Sequence, residues 1–460
     1  MALWFRLRAK KLKRGALVTS VAALLLLFRS LELPGNELPR ASIAARHELE
    51  VPHHEHDVDG TRRRTSETGN GKAALGVYSV PRLKPQPTTT HRPLTTANLN
   101  ITHFIDQEDE YGEDIIYLKT TCPHSIRKRI AESELKRFFL STIPVLQWKK
   151  HATREEYERL RRYNGAHGWM EVDWHILNET LSLLNSSANG YMFDDWQQRG
   201  PANSSCIRCA VVGNGGILNG SRVGAEIDQH DYVFRINGAI TNGFEEDVGN
   251  RTSFYGFSTN TMQNSLNYYM REGFHEVPKT METRYIFLPD HNRDYLLLNA
   301  ALTHRRGNES EHPSYYFGQN LSTEKFKMLH PDFMRYLRNR FLWDPVLNTE
   351  DRDVYRVSTG AAMLLAAVHV CDQVSAYGFI TPNYGNFSDH YYDRTFKELF
   401  FYRNHNLMLE MELWQTLHKD GIIKLYHRTN YTSPQLPVTQ QPHVAEQSQL
   451  NPLPVSSNEH

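Results

Sequence analysis

Only four cysteines, Cys122, Cys206, Cys209 and Cys371, occur in 460 residues, with none in the first quarter or the tail. That is too few for a disulfide scaffold, but the even number permits two bridges within one domain. Excess charge is also missing: Lys+Arg and Asp+Glu are 52 each. Composition therefore gives no reason to expect a polyanion, such as nucleic acid, as partner. Repeated long hydrophobic runs are absent too, and a mean hydropathy of −0.57 excludes a polytopic membrane protein. No repeat of fixed period occurs. What remains, with 40% hydrophobic and 11% aromatic residues, suffices for one large buried core with polar extensions.

The amino terminus carries Arg6, Arg8, Lys10, Lys11, Lys13 and Arg14 without an acid, followed by an apolar run over 15–28. Basic flanks hold that end in the cytoplasm and put the remainder in the lumen. The run is short against the usual span of about 20 residues, but a thin bilayer and snorkelling flanks relax that requirement. No A-x-A cleavage pattern follows it closely, which favours an uncleaved signal anchor over a cleaved signal peptide. The expected layout is a cytoplasmic tail at 1–14, a signal-anchor helix at 15–33, a disordered stem at 34–115, a lumenal catalytic domain at 116–432 and a disordered tail at 433–460. Asn-x-Ser/Thr occurs at Asn100, Asn178, Asn185, Asn203, Asn219, Asn250, Asn308, Asn320, Asn386 and Asn430. Each match alone is weak; together with an anchor they favour the secretory pathway.

The stem lacks periodicity and is rich in Pro and Thr, so it cannot bury enough apolar surface to offset its ordering entropy. Within it, Thr88, Thr89 and Thr90 suit O-glycans no better than a bare linker does, and His53, His54 and His56 read as solvated. Order is expected from near Cys122. Residues 152–163 look helical with Thr153 as N-cap. Strands are expected over 209–213, 231–236, 284–289 and 373–378, and an apolar helix over 361–370. Strands alternating with helices predict an α/β fold with a mostly parallel sheet covered on both faces. Ligands then belong at the carboxyl ends of its strands.

Chemistry-bearing residues fall at those ends. Gly213-Asn214-Gly215-Gly216 follows the first strand. Glycines there permit φ > 0 and let backbone amides approach a ligand, although the spacing is neither G-x-G-x-x-G nor a Walker loop and an ordinary tight turn explains it as well. Asn237-Gly238 ends the second strand; a type I′ turn accounts for the dipeptide, but not for an Asn at both strand exits. Ser358-Thr359-Gly360 opens the apolar helix with Ser358 or Thr359 as cap, where free amides and the dipole favour an anion. His390 and His405 lie in polar-aromatic settings. His405 stands just before Asn406, the expected N-cap of a helix bearing Leu407, Met411 and Trp414, so its ring is free of the helix face. Glu410 reads as a first-turn acid facing the dipole of its own helix. Asp351-x-Asp353 resembles a metal-diphosphate string but sits in a charged stretch that reads as solvated loop, and Asp57-x-Asp59 lies in the stem. Cys206-x-x-Cys209 lacks the partners of a zinc site, and an oxidising lumen favours disulfides.

The segment 209–252 resembles the large sialylmotif of the eukaryotic sialyltransferases, glycosyltransferase family 29, through Cys209-Ala-Val-Val-Gly-Asn-Gly-Gly-Ile-Leu, Asp231-Tyr-Val-Phe-Arg-Ile-Asn-Gly-Ala and Gly243-Phe-Glu-Glu-Asp-Val-Gly. Ser358-Thr-Gly through Cys371-Asp-Gln-Val is similar to the small motif, His390-Tyr-Tyr-Asp to the third, and His405-x4-Glu410 to the very small one. Within the family the likeness is to the GalNAc α2,6-sialyltransferases of mucin-type O-glycans, nearest type I. It rests on Ser253-Phe-Tyr-Gly-Phe, Leu329-His-Pro-Asp-Phe and Phe387-Ser-Asp-His-Tyr-Tyr-Asp; Arg403 stands where Ile is expected.

The resemblance implies a variant GT-A, Rossmann-like fold and a Golgi type II membrane protein. It also implies inverting transfer of sialic acid from CMP-sialic acid to the 6-hydroxyl of GalNAc on Ser or Thr of a glycoprotein acceptor, with no metal or other cofactor. By motif, His405 is the base with Glu410 beside it, and His390 donates to the departing phosphate. Asn214, Asn237, Ser358, Thr359 and Gly360 hold the donor. Cys209 bridges Cys371, leaving Cys122 for Cys206. Competing expectations are another linkage or acceptor, a silent sialoside- or nucleotide-binding protein, and a metal-dependent transferase using Asp351 and Asp353.

Overall fold

The computed structural model describes residues 110–117, 119–199, 205–304, 314–318 and 321–428. The expected cytoplasmic tail, anchor, most of the stem, the carboxyl tail, and Asn100, Asn203, Asn308, Asn320 and Asn430 lie outside the described residues, as do Asp57 and Asp59. Among the described residues no helix is long and apolar enough to cross a membrane.

Short runs rich in β-branched and aromatic residues form seven strands: β1 Arg208–Val212, β2 Tyr232–Ile236, β3 Phe254–Phe257, β4 Arg284–Phe287, β5 Phe326–Met328, β6 Gln373–Tyr377 and β7 Lys424–Leu425. They lie in the order β5-β4-β3-β2-β1-β6-β7, and every neighbouring pair is parallel. The chain starts in the middle, winds outward to β5, then crosses back to place β6 on the other side of β1. Strand order reverses between β1 and β6, the switch point beyond whose carboxyl ends ligands bind in open α/β sheets. Strand side chains alternate between two cores: Cys209, Val211, Phe234 and Ile236 enter one, while Ala210, Val212, Val233 and Tyr255 enter the other.

Helices of seven residues or more are α1 Arg154–Leu160, α2 Trp174–Leu183, α3 Thr259–Tyr268, α4 Asn292–Thr303, α5 Pro331–Arg340, α6 Thr359–Val370 and α7 Leu407–Lys419. From Ala361 to Val370, α6 is buried on every side, which is why its sequence is apolar without a polar stripe. It lies so close to the sheet that a Cβ at Gly256 of β3 would come 2.7 Å from Met363 Sδ. At its carboxyl end the Arg127 guanidinium donates to the carbonyls of His369 and Val370 at 2.9 and 3.0 Å and pairs with Asp372. Both disulfides form: Cys122–Cys206 closes 84 residues, and Cys209–Cys371 ties β1 to the residue after α6 across 162.

The expected strands at 209, 231, 284 and 373 appear within one or two residues of their predicted ends. The helix expected over 152–163 is shorter, because Thr153 caps it through Glu156 N–H and it ends at Leu160. β3, β5 and β7 were not anticipated: Gly256 interrupts one, Lys327 another, and the last has two residues.

Candidate active site

The exits of β1 and β6 meet at the switch point, where Gly213 N–H donates to the Tyr377 carbonyl at 2.8 Å and Gly215 N–H to that of Gly378 at 3.0 Å. The expected reason for the glycines needs correcting. Gly213, Gly215 and Gly216 are not among the positive-φ residues. A Cβ at Gly213 or Gly215 would lie 2.7 or 2.6 Å from Gly378 O, and one at Gly216 would lie 2.1 Å from Ser388 O. Close approach of main chain to main chain, and not left-handed geometry, excludes side chains here. A bridge between Gly215 and His390 stitches the third motif to this turn, and Tyr391 N–H donates to Asn214 O at 3.0 Å.

Asn214 spans the exits of β1 and β2, its Nδ2 donating to Ile236 O at 3.2 Å. Asn237, at the β2 exit, has φ +49°. Gly238 does not share the positive φ, so the pair is not a type I′ turn. Gly238 is instead required by its neighbour: a Cβ there would lie 2.6 Å from Tyr269 Cδ2. The Oδ1 atoms of both asparagines are buried without a hydrogen-bond partner. Two unsatisfied amide acceptors at adjacent strand ends make a surface for hydroxyl or amino donors.

Opposite them stands the amino end of α6. Ser358 caps it, with Oγ accepting from Ala361 N–H at 3.0 Å. The Ser358 N–H and hydroxyl donate to Glu410 Oε1 and Oε2 at 3.0 and 2.8 Å. Glu410 is 4% exposed; burial pushes its carboxyl up to about 7, although the Ser358 bonds oppose the rise. Glu410 is a first-turn acid of α7, as the sequence suggested, but its carboxyl also meets the amino end of α6, and with both oxygens engaged its part is to fix Ser358. With the cap spent on Ala361, the first-turn amides of Thr359 and Gly360 are the remaining donors of this end. A Cβ at Gly360 would lie 3.5 Å from Ile236 Cδ1, which sets the helix end against the β2 exit.

His405 precedes the α7 cap, Asn406, whose Oδ1 accepts from Leu409 N–H. The ring Nδ1 lies 2.8 Å from Arg356 O. A carbonyl can only accept, so Nδ1 carries the proton and Nε2 keeps its lone pair. Burial pushes the imidazole down to about 4, against the Arg356 and Asn404 backbone hydrogen bonds, so the ring is neutral at neutral pH, with Nε2 unprotonated. Arg356 is anchored twice, by its N–H to Asn404 O at 3.0 Å and by its guanidinium to Asp290.

His390 stacks on Tyr392 with ring centroids 5.0 Å apart and tilts against Tyr269 at 5.1 Å. Its Nδ1 is 3.5 Å from Asp389 Oδ2 and 3.8 Å from Asp393 Oδ2, yet has no hydrogen bond. Asp393 Oδ2 folds the loop by accepting from His390 N–H and the Ser388 hydroxyl, both at 2.7 Å.

Linked contacts thus run from His390 through Gly215, Asn214 and Ile236 to Gly360 and Ser358, and on to Arg356 and His405. Asp351 and Asp353 lie on a 3-10 turn, Glu350–Asp353, where Asp351 pairs with Arg403. Among the described residues, Glu156, His330 and Asp332 form one acid-histidine cluster and Asp290, His291 and Asp294 another. Asp332 is matched by Arg159 and Arg335, and Asp290 by Arg356. Of the described sequons, Asn185, Asn219, Asn250 and Asn386 are exposed and Asn178 is half-buried. Asn219 Nδ2 already donates to Tyr391 O at 2.7 Å. Tyr269 escaped sequence reasoning because it lies in no motif and its segment carries no local signal.

Residues 146–422 match the family described as Glycosyltransferase family 29 (sialyltransferase). The chain is 51% identical over 313 residues to mouse (Mus musculus) alpha-N-acetylgalactosaminide alpha-2,6-sialyltransferase 2, covering 67% of this chain and 83% of that one. It is 40% identical over 389 residues to the mouse type 1 enzyme, covering 80% and 72%. Identity is thus higher with the type 2 relative, and the expected nearness to type I does not stand out. A mammalian sialyltransferase crystal structure aligns at 26% identity over 67% of this chain and 98% of that chain, with a TM-score of 0.43.

Proposed function

Since this chain belongs to glycosyltransferase family 29, the sialyltransferases, we propose that it transfers sialic acid from CMP-sialic acid to the 6-hydroxyl of GalNAc linked to Ser or Thr, with inversion. The names of its relatives support the acceptor and the linkage. The observation that carries the chemistry is the His405 ring, whose Nδ1 is committed to Arg356 O.

His405 Nε2 takes the proton of the acceptor O6–H as O6 bonds to the sialyl anomeric carbon. The bond from that carbon to the phosphate oxygen breaks, and its electron pair leaves with CMP. The Thr359 and Gly360 amides, with His390 donating from Nε2, stabilise the negative charge that develops on the phosphate. The Asn214 and Asn237 Oδ1 atoms accept from the nucleoside, and Ser358, held by Glu410, fixes the helix end that meets the phosphate. CMP carries a single phosphate, so these fixed donors suffice and the reaction runs without a metal ion. Abolition by EDTA, with loss of activity in Asp351→Ala, would favour the metal-dependent reading instead.

The protein acts in the Golgi lumen as a single-pass type II membrane protein. Support comes from the basic-apolar amino terminus, the sequons and the pairing of all four cysteines. Protease protection in intact vesicles tests this, and digestion of the domain without detergent would overturn it. The activity is tested with the full chain, CMP-sialic acid and a GalNAc-Ser glycopeptide. An α2,6-linked sialyl-GalNAc product is expected; transfer only to another hydroxyl or sugar, or none, would overturn the reading.

A further inference from the structure

Tyr269 follows the last residue of α3 and is named by no sequence motif, yet it touches the third motif twice. Its ring packs on His390 and, at 5.4 Å, on Tyr392. The ring occupies space that only a glycine at position 238 leaves open, so the β2 exit is shaped around it. Its hydroxyl stands 3.5 Å from His390 Nε2, beyond the 2.7–3.2 Å of a good hydrogen bond. Burial, with Asp389, Tyr402 and Asp393 nearby, keeps the phenol protonated far above neutral pH, so it remains a donor.

With the His390 proton on Nε2, the tautomer in which it donates to the departing phosphate as assigned above, two donor heads at that separation serve each other poorly and one anionic oxygen well, because an oxygen beside the pair lies within hydrogen-bond reach of both. A second observation points the same way. The Tyr392 hydroxyl is 2% exposed and has no partner, and a Cβ on Gly238 would come within 3.2 Å of it. Polar heads thus converge at the β2 exit with less hydrogen bonding than they can make, the state of a site that awaits an acceptor-rich ligand.

We propose that Tyr269 is a catalytic residue that donates, together with His390, to the phosphate of the departing CMP. The inference rests on the donor assigned above. As the bond from the anomeric carbon to the phosphate oxygen breaks, that phosphate gains one negative charge; the Tyr269 hydroxyl and His390 Nε2–H hydrogen-bond to it without giving up their protons. The acceptor proton goes to His405, so no other reactant is needed.

Tyr269→Phe keeps the ring, and with it the packing on His390 and Tyr392, and removes only the donor. In the full chain this variant should lose on the order of 10²-fold in kcat, as for removal of one oxyanion donor. By isothermal titration its affinity for CMP should fall about tenfold or more, while that for cytidine, which has no phosphate, stays at the parent value. Parent-like turnover and CMP affinity would overturn the proposal. Equal loss for CMP and cytidine would also overturn it, by showing a structural role. So would weakened CMP-sialic acid binding with unchanged CMP affinity, which would assign the hydroxyl to the sialyl carboxylate. If the parent itself neither binds CMP nor turns over CMP-sialic acid, the donor reading fails and this proposal fails with it; a working parent with an unaffected Phe variant removes only the role of Tyr269.

Discussion

The two ends of α6 are built in opposite ways. At the carboxyl end the chain satisfies itself: Arg127 donates to the last carbonyls, Asp372 accepts from Ile207 N–H at 2.9 Å, and Cys371 is bonded to β1. At the amino end Glu410 holds the cap, and the strand exits and third motif linked to that end carry buried Asn214, Asn237, His390 and Tyr392 atoms without a hydrogen-bond partner. One buried helix is sealed where it must not move and left open where it must bind. Stability and chemistry should therefore separate along its length.

The largest effect is expected at the open side. His405→Ala should cost about 10²–10⁴ in kcat and leave the melting temperature and CMP affinity near the parent values; near-normal turnover would erase the distinction. In the parent, kcat/KM should rise with pH through an acid limb near 4, where Nε2 loses its proton, and not near the ordinary 6.5. A limb at 6.5 would mean that the base is a different, solvated group.

Breaking the sealed end should do the reverse. The pair Cys209→Ser and Cys371→Ser should lower unfolding free energy by about 2–5 kcal/mol, read by thermal melting, with kcat of the protein still folded at low temperature kept. Arg127→Ala should cost about 1–3 kcal/mol by removing the guanidinium donor from the His369 and Val370 carbonyls and the cation from Asp372, again in melting and not in turnover. A kcat loss as large as that of His405→Ala in either variant would show that the two ends are not independent.

Glu410→Gln sharpens the comparison at the smallest scale. The folded-state carboxyl is raised to about 7 from 4.5, so its stabilising contribution is whole below 4.5 and is lost as pH rises through about 7. The neutral amide removes that loss. The variant should melt above the parent at pH 8 and lose this advantage at pH 4; a constant difference across that range would mean that Glu410 is ionised throughout.

What could be read from the chain was local. The runs around Cys209, Asp231 and Gln373, the apolar helix and the caps Thr153, Ser358 and Asn406 announce themselves within a few residues, because β-branched runs, burial on all sides and capping oxygens act over short spans. The residues in the four motifs likewise gather at one sheet edge. Glu410 was read correctly as a first-turn acid, but its second role stayed hidden because its partner Ser358 lies 52 positions away. Arg127 gave no sign of its role because the carbonyls it serves are 242 and 243 positions distant. Tyr269 was invisible because only the folded chain brings it to His390 and to the space above Gly238. The glycine turn was placed correctly but for an incomplete reason, since the crowding around Gly378 depends on the order in which strands are laid down.

The main-chain seam between Gly213, Gly215, Gly216 and the carbonyls of Gly378 and Ser388 has a consequence for how such an enzyme can be altered. With no room for even one methyl group, that seam offers a protein engineer nothing to vary. Variation is accommodated instead in the stretch 394–403, where Phe396 and Tyr402 are 59% and 49% exposed and substitutions meet solvent instead of backbone.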